Sequence, residues 1–151
     1  MEFAITAPRG LMTPTFRVGV FFMSRTMILT WSSLAAGSLA GGFARYFMAG
    51  AVYRALGTAF PHGTFLVNIL GCFLIGLLDC LANERFALPP AARVLLMTGF
   101  CGAFTTFSTL ILETSNLMKG GDFFRALLNA VGSLVVGMIV FRMGTSVGRL
   151  I

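Results

Sequence analysis

Positions 99–113 of the chain read Gly-Phe-Cys-Gly-Ala-Phe-Thr-Thr-Phe-Ser-Thr-Leu-Ile-Leu-Glu. Four hydroxyls, on Thr105, Thr106, Ser108 and Thr109, crowd into a run that is otherwise apolar enough for a membrane interior. A hydroxyl donates and accepts hydrogen bonds without carrying charge, so a set of them can stand in for water around a small ion. Gly102 and the β-branched threonines weaken helix propensity. Unwound backbone at bilayer depth is tolerated only where it is buried in protein or lines a cavity. The stretch is therefore expected to be a broken membrane helix with a functional interior. Each residue alone also has a plainer use, since hydroxyls can bond their own i−4 carbonyl and glycines can simply let helices pack.

Other polar groups stand inside apolar runs. Asn68 lies about a turn into its segment. An amide without partners in hydrocarbon costs several kcal/mol, so it must face protein or water. It could tie two helices together or offer its NH2 donors to an anion. Asn129 and Ser133 are four apart, which puts both on one helix face, either a pore face or a helix contact. Arg45 near a helix end could snorkel to headgroups or face inward as a fixed cation. Position alone favours snorkelling. Asp79 can reach the interface from its span end, and Glu113 and Asn116 form the polar side of theirs. His62, beside Pro61 in a short connection, is assigned no role.

The elements that must position these groups follow from composition. The 151 residues are 57% hydrophobic and 11% charged, too little charge to cover a soluble core. A hydrocarbon layer of about 30 Å needs about 20 apolar residues per helix, and four such windows are present. Their expected limits are 27 to about 47, 64–81, 94–118 and 123–142. The chain is thus expected to be an all-α, multi-pass integral membrane protein. It has one four-helix domain over residues 27–151 and a poorly ordered amino-terminal tail over residues 1–26. That tail does not resemble a signal peptide, and Met12, Met23 and Met27 are each candidate start residues. Gly37 and Gly41 form a Gly-xxx-Gly pair suited equally to a contact within the chain or between two copies. Cys72, Cys80 and Cys101 read as reduced packing residues.

Four spans put both ends of the chain on one side. Arg9, Arg17, Arg25, Arg85, Arg93, Arg142 and Arg149 then face Arg45, Arg54, Lys119 and Arg125, seven against four. Without the tail the count is four against four, and cation bias no longer selects an orientation. Insertion both ways, with pairing of opposed copies, becomes feasible. The net charge of +6 suits anionic lipid headgroups rather than nucleic acid, because the cations sit mainly at segment ends and in the tail.

No nucleophile and base pair, metal-ligand cluster or phosphate loop supports an enzyme. Transport or scaffolding is left, and the hydroxyl and amide groups favour a small polar solute.

Three blocks carry a resemblance. Residues 41–46 (Gly-Gly-Phe-Ala-Arg-Tyr), 62–71 (His-Gly-Thr-Phe-Leu-Val-Asn-Ile-Leu-Gly) and 98–109 (Thr-Gly-Phe-Cys-Gly-Ala-Phe-Thr-Thr-Phe-Ser-Thr) resemble the signatures of the Fluc (CrcB) fluoride channel family. The order and spacing match over the chain from about residue 27 onward. The resemblance implies an antiparallel, dual-topology homodimer in the cell (inner) membrane that exports fluoride passively, relieving its toxicity. It implies two anion pathways, with broken third helices meeting at a central structural sodium ion. By motif position, the backbone carbonyls of Gly102 and Thr105 would hold that ion. Asn68 matches the pore asparagine and Phe107 the first of two pore phenylalanines, whose positive ring edges can face an anion. Ser108 and Thr109 follow on the same stretch, Ser133 matches a polar-track serine, and Arg45 an arginine near the pore entrance. This chain departs at Leu110, where the family has its second phenylalanine, and at Gly137, where some members keep a second serine. Either one ring per subunit suffices, or a paralogous partner supplies the other.

Two other readings compete. A small dual-topology proton-coupled multidrug exporter needs a membrane-buried carboxylate, for which Asp79 and Glu113 are the candidates, both near span ends. A non-conducting subunit of a heteromeric membrane assembly would use Gly37, Gly41 and Gly71 only for packing.

Overall fold

The computed structural model describes residues 24–151, which form helices joined by short connections. Of the tail expected over residues 1–26, residues 1–23, with Met12 and Met23, lie outside the described residues, whereas Ser24, Arg25 and Thr26 open the first helix instead of belonging to a poorly ordered tail. Helix α1 (Arg25–Leu56) starts on Ser24, whose Oγ accepts from the Met27 N–H at 3.3 Å. It stops at Gly57, whose φ of 77° a side chain would resist. Helix α2 (His62–Glu84) is α-helical through Asp79 and widens into a π-type turn over Cys80–Glu84. The third span is two helices: α3, residues 90–104, and α4 (Phe107–Lys119). Helix α5 (Phe123–Leu150) begins on Asp122, which accepts from the Arg125 N–H at 3.2 Å.

All four spans are present, at lengths of 32, 23, 30 and 28 residues, each long and apolar enough to cross a membrane. They outrun the expected limits. Residues 48–56 continue α1 because they are rich in strong helix formers and nothing breaks the chain before Gly57. Pro90 opens α3 instead of ending a loop, since proline at the first helical position gives up an N–H that would be orphaned anyway. Beyond Arg142, α5 runs on to Leu150, where Arg149 pairs with Glu84 at 2.8 Å.

The helices pack in two pairs, α1 with α3 and α2 with α5. Between α1 and α3 the backbones touch. A Cβ at Gly37 would strike the Leu95 carbonyl oxygen, and one at Gly41 the Phe100 carbonyl oxygen. The Gly-xxx-Gly pair is therefore spent within the chain. Between α2 and α5, Gly76 meets the Phe141 carbonyl and Gly144 the Phe73 carbonyl. Because lipid is as apolar as leucine, this close van der Waals fit, not apolar burial, drives helix association. Large apolar side chains such as Leu39, Phe43, Leu112 and Ile139 accordingly face outward. At the end that holds the start of α1 and the end of α5, Arg93 donates to the carbonyls of Ala82 and Leu88 and to Asn83 Oδ1. It thereby satisfies the Ala82 carbonyl in the last turn of α2, where helical donors run out, and ties down the connection at Leu88.

Candidate functional site

The third span breaks at Thr105 and Thr106, both extended, with φ/ψ of −84°/159° and −150°/113°. Gly102 stays helical at −63°/−37°. The break expected from the sequence is real, but the β-branched pair makes it, not the glycine. Upstream, residues Val94–Cys101 run as a widened π-type helix, a form that recurs where a helix is interrupted for function.

Asn68 holds the break open. Its Nδ2 donates to the Thr106 carbonyl at 3.0 Å, and the Thr106 N–H donates to its Oδ1 at 2.8 Å. Asn68 thus ties α2 to the third span through both ends of its amide. Gly71, one turn on, lets α2 approach, since a Cβ there would strike the Thr105 methyl. The break is finished by Thr106 as the cap of α4, its Oγ1 accepting from the Thr109 N–H at 3.3 Å and lying 2.9 Å from Thr109 Oγ1. Thr105 Oγ1 takes the plainer course, donating to its own i−4 carbonyl at Cys101, 2.9 Å away.

These bonds free two carbonyls. In an unbroken helix the Thr106 N–H would serve the Gly102 carbonyl and the Thr109 N–H the Thr105 carbonyl. Asn68 and Thr106 Oγ1 have taken those donors. Among the described residues no group of three or more His, Cys, Asp or Glu could hold a metal ion. Backbone oxygens of this kind are hard ligands suited to an alkali cation. The Thr105 carbonyl also accepts from Arg45 Nη1 at 3.3 Å, with one lone pair to spare. Gly102 is exposed, and a Cβ there would meet nothing within 4 Å. The two freed carbonyls are thus oxygen ligands without helical donors, beside open space at Gly102.

Arg45 corrects the sequence expectation. With α1 running to Leu56, it lies well inside the helix, part-buried against the break, and does not snorkel from an end.

The expected site residues divide between two sides of the third span. Asn68, Phe107 and Ser133 line one cavity of about 360 Å³, with Leu110 and Cys72 among its other walls. Phe107 is 68% exposed, whereas Leu110 is 5% exposed and turned inward. Ser133 Oγ is buried without a partner. Its neighbour Asn129, fully buried, donates to Thr114 Oγ1 at 2.9 Å, so that amide serves a helix contact. A Cβ at Gly137 would lie 3.2 Å from Cys72 Sγ, leaving little room for a serine there. Thr109 and Arg45 instead line a second cavity of about 760 Å³, with Arg54, Thr64 and Glu113. Ser108 is exposed, its hydroxyl 3.3 Å from Thr106 Oγ1, and lines neither.

Sequence reasoning passed over a third cluster. Tyr53 Oη and Thr64 Oγ1 both donate to Glu113 Oε1, at 2.7 and 2.8 Å, while Glu113 Oε2 is buried without a partner. Glu113 is thus part-buried although, as expected, it lies near the end of its span, level with the last turn of α1 and the first turn of α2. A usable signal was present, since Thr106, Thr109 and Glu113 stand at i, i+3 and i+7, one helix face. Nothing local pointed to Tyr53.

A family model described as CrcB-like protein, Camphor Resistance (CrcB), matches residues 32–145. The chain is 46% identical over 118 residues to a protein of Maridesulfovibrio salexigens named fluoride-specific ion channel FluC, covering 78% of this chain and 94% of that one. It is 46% identical over 125 residues to the Magnetococcus marinus protein of the same name, covering 83% and 100%. It is 50% identical over 115 residues to that of Chlorobaculum tepidum, covering 76% and 90%.

Proposed function

This chain belongs to the CrcB family, and from that membership we propose that it is a fluoride-specific ion channel, not an enzyme, that lets fluoride leave the cell down its gradient. It is a multi-pass membrane protein. The observation that carries the reading is the Asn68 tie to Thr106, which opens the third span beside a cavity walled by Asn68, Phe107 and Ser133. Fluoride gives up its water only to strong donors. An amide N–H, a free serine hydroxyl and the positive edge of a phenyl ring offer such contacts without a fixed charge that would trap the ion. Arg45 and Arg54 in the neighbouring cavity supply the positive potential that concentrates anions at the approach.

The working unit in this reading is an antiparallel pair of copies. Two features support it: the outward-facing Phe107 and the open backbone at Gly102. Opposed breaks would bring two Gly102 and two Thr105 carbonyls together, a hard-oxygen set for a structural sodium ion. A buried cation there would also raise the potential felt by an anion. Leu110 occupies the second ring position with an aliphatic wall, so one ring per subunit serves the path.

The test is efflux from liposomes holding this protein alone, with chloride as control. Glu113 is a part-buried membrane carboxylate of the kind a proton-coupled exporter needs, so one arm imposes a proton gradient. Rapid efflux of fluoride, refusal of chloride and indifference to that gradient are expected. Efflux that follows the proton gradient would replace the channel with an exporter.

A further inference from the structure

Tyr53, Thr64 and Glu113 come from α1, α2 and α4 and meet at a single carboxylate oxygen. The direction of each bond is settled by chemistry. An ionised carboxylate only accepts, so Tyr53 and Thr64 both spend their hydroxyl protons on Glu113 Oε1. Tyr53 Oη in turn accepts from the Thr64 backbone N–H at 3.4 Å. The tyrosine ring is wedged against Gly63, where a Cβ would lie 2.6 Å from its Cε2. The ring cannot readily leave, and its hydroxyl is aimed.

This cluster stands between two cavities, and Tyr53 and Glu113 line both. One, of about 400 Å³, is bounded by Pro61, Asn116 and Asp122 near the loop ends. The other, of about 760 Å³, runs along α1 past Arg54 and Arg45 to Thr109 and Thr106 at the break. Gly50 leaves space for Arg54 to fold back along α1, its Nη1 3.6 Å from where a Cβ would be. A carboxylate side chain thus shares a cavity with two guanidinium groups, yet its Oε1 is bound by the Tyr53 and Thr64 hydroxyls. Neither guanidinium forms a salt bridge with it.

We propose that Tyr53 is a positioning residue that keeps the Glu113 carboxylate bound to the Tyr53 and Thr64 hydroxyls and unpaired with Arg45 or Arg54, so that both guanidinium groups stay available to an entering anion. Without the tyrosine hydroxyl, Glu113 keeps one donor and can turn into the shared cavity to pair with an arginine. That pairing would cancel the attraction on which anion entry depends. The proposal deepens the channel reading and rests on it.

Tyr53→Phe removes one oxygen and leaves the ring seated on Gly63. It is expected to lower fluoride efflux about tenfold in the otherwise unchanged protein and less than twofold in a Glu113→Gln background, where no charge needs restraint. Equal losses in both backgrounds, or no loss in either, would overturn the proposal. If Glu113→Gln does not fold, Thr64→Val, which takes away the other donor, replaces it and is expected to lower efflux in the same direction; unchanged efflux counts against the proposal. A second readout needs no conduction. With 13C-glutamate, the Glu113 carboxylate stretch should shift in Tyr53→Phe, and an unshifted band refutes the hold. Protein that conducts no fluoride but shows the shift would sink the channel reading and leave the Tyr53 hold standing.

Discussion

The side chain of Asn68 pairs with the backbone of Thr106 as a neighbouring peptide would, giving one hydrogen bond at 3.0 Å and receiving one at 2.8 Å. A helix break inside a membrane strands polar groups that lipid cannot satisfy. Here one amide satisfies the N–H and the carbonyl of the same residue, and does so from a different helix.

Asn68→Asp should therefore fail although it keeps the shape. The carboxylate can still accept from the Thr106 N–H but cannot donate to its carbonyl, and it adds negative charge to the wall of the cavity with Phe107 and Ser133. An unsatisfied buried group costs about 1–3 kcal/mol. Thermal unfolding in detergent should show a loss of that order, and liposome efflux of fluoride should fall at least a hundredfold.

The contact between α1 and α3 makes a paired prediction. Gly41→Ala drives a methyl into the Phe100 carbonyl, whereas Gly42→Ala places one in open space. Forcing atoms into a packed interface costs about 1–3 kcal/mol, occasionally more. The first variant should lose that much stability or fail to fold, and the second should match the parent in unfolding temperature.

Leu110→Phe should preserve or raise fluoride efflux. Leu110 lines the same cavity of about 360 Å³ as Phe107, so there is space beside it for a ring. A second phenyl adds a positive edge to the path. Complete loss of efflux from folded protein would show that position 110 does not correspond to the second pore phenylalanine.

Sodium should stabilise the protein and potassium should not. A ligand that binds only the folded state adds about 2.7 kcal/mol at a hundred times its Kd, so the unfolding temperature should climb with sodium concentration. Equal responses to the two cations would remove sodium from the centre. The carbonyls of Gly102 and Thr105, the proposed ligands, cannot be changed by substitution, which makes the cation series the direct check.

Much of this protein was legible in its residues. Four apolar windows became four spans, and the glycine and hydroxyl cluster marked the one that breaks. Asn68 was recognisable as a group that had to find a partner. These features are local: hydropathy, helix propensity and the cost of an unpaired amide depend on a residue and its near neighbours. Span limits were less legible because a guanidinium that finds a carbonyl, as Arg45 does at Thr105, can lie inside a helix where hydropathy alone places an end.

The sequence by itself thus determined a four-span membrane chain with a polar interruption in its third span and an amide that had to face protein or water. Only the tertiary structure decided that Thr105 and Thr106 make the break, that Gly37 and Gly41 are used within the chain, and that Phe107 and Thr109 line different cavities. It alone gathered Tyr53, Thr64 and Glu113 from three helices onto one oxygen. The physical reason is that hydrogen bonds and backbone contacts between helices depend on their relative register and rotation. Those are set by which small residues let two backbones touch, a property of pairs of segments that no single segment contains.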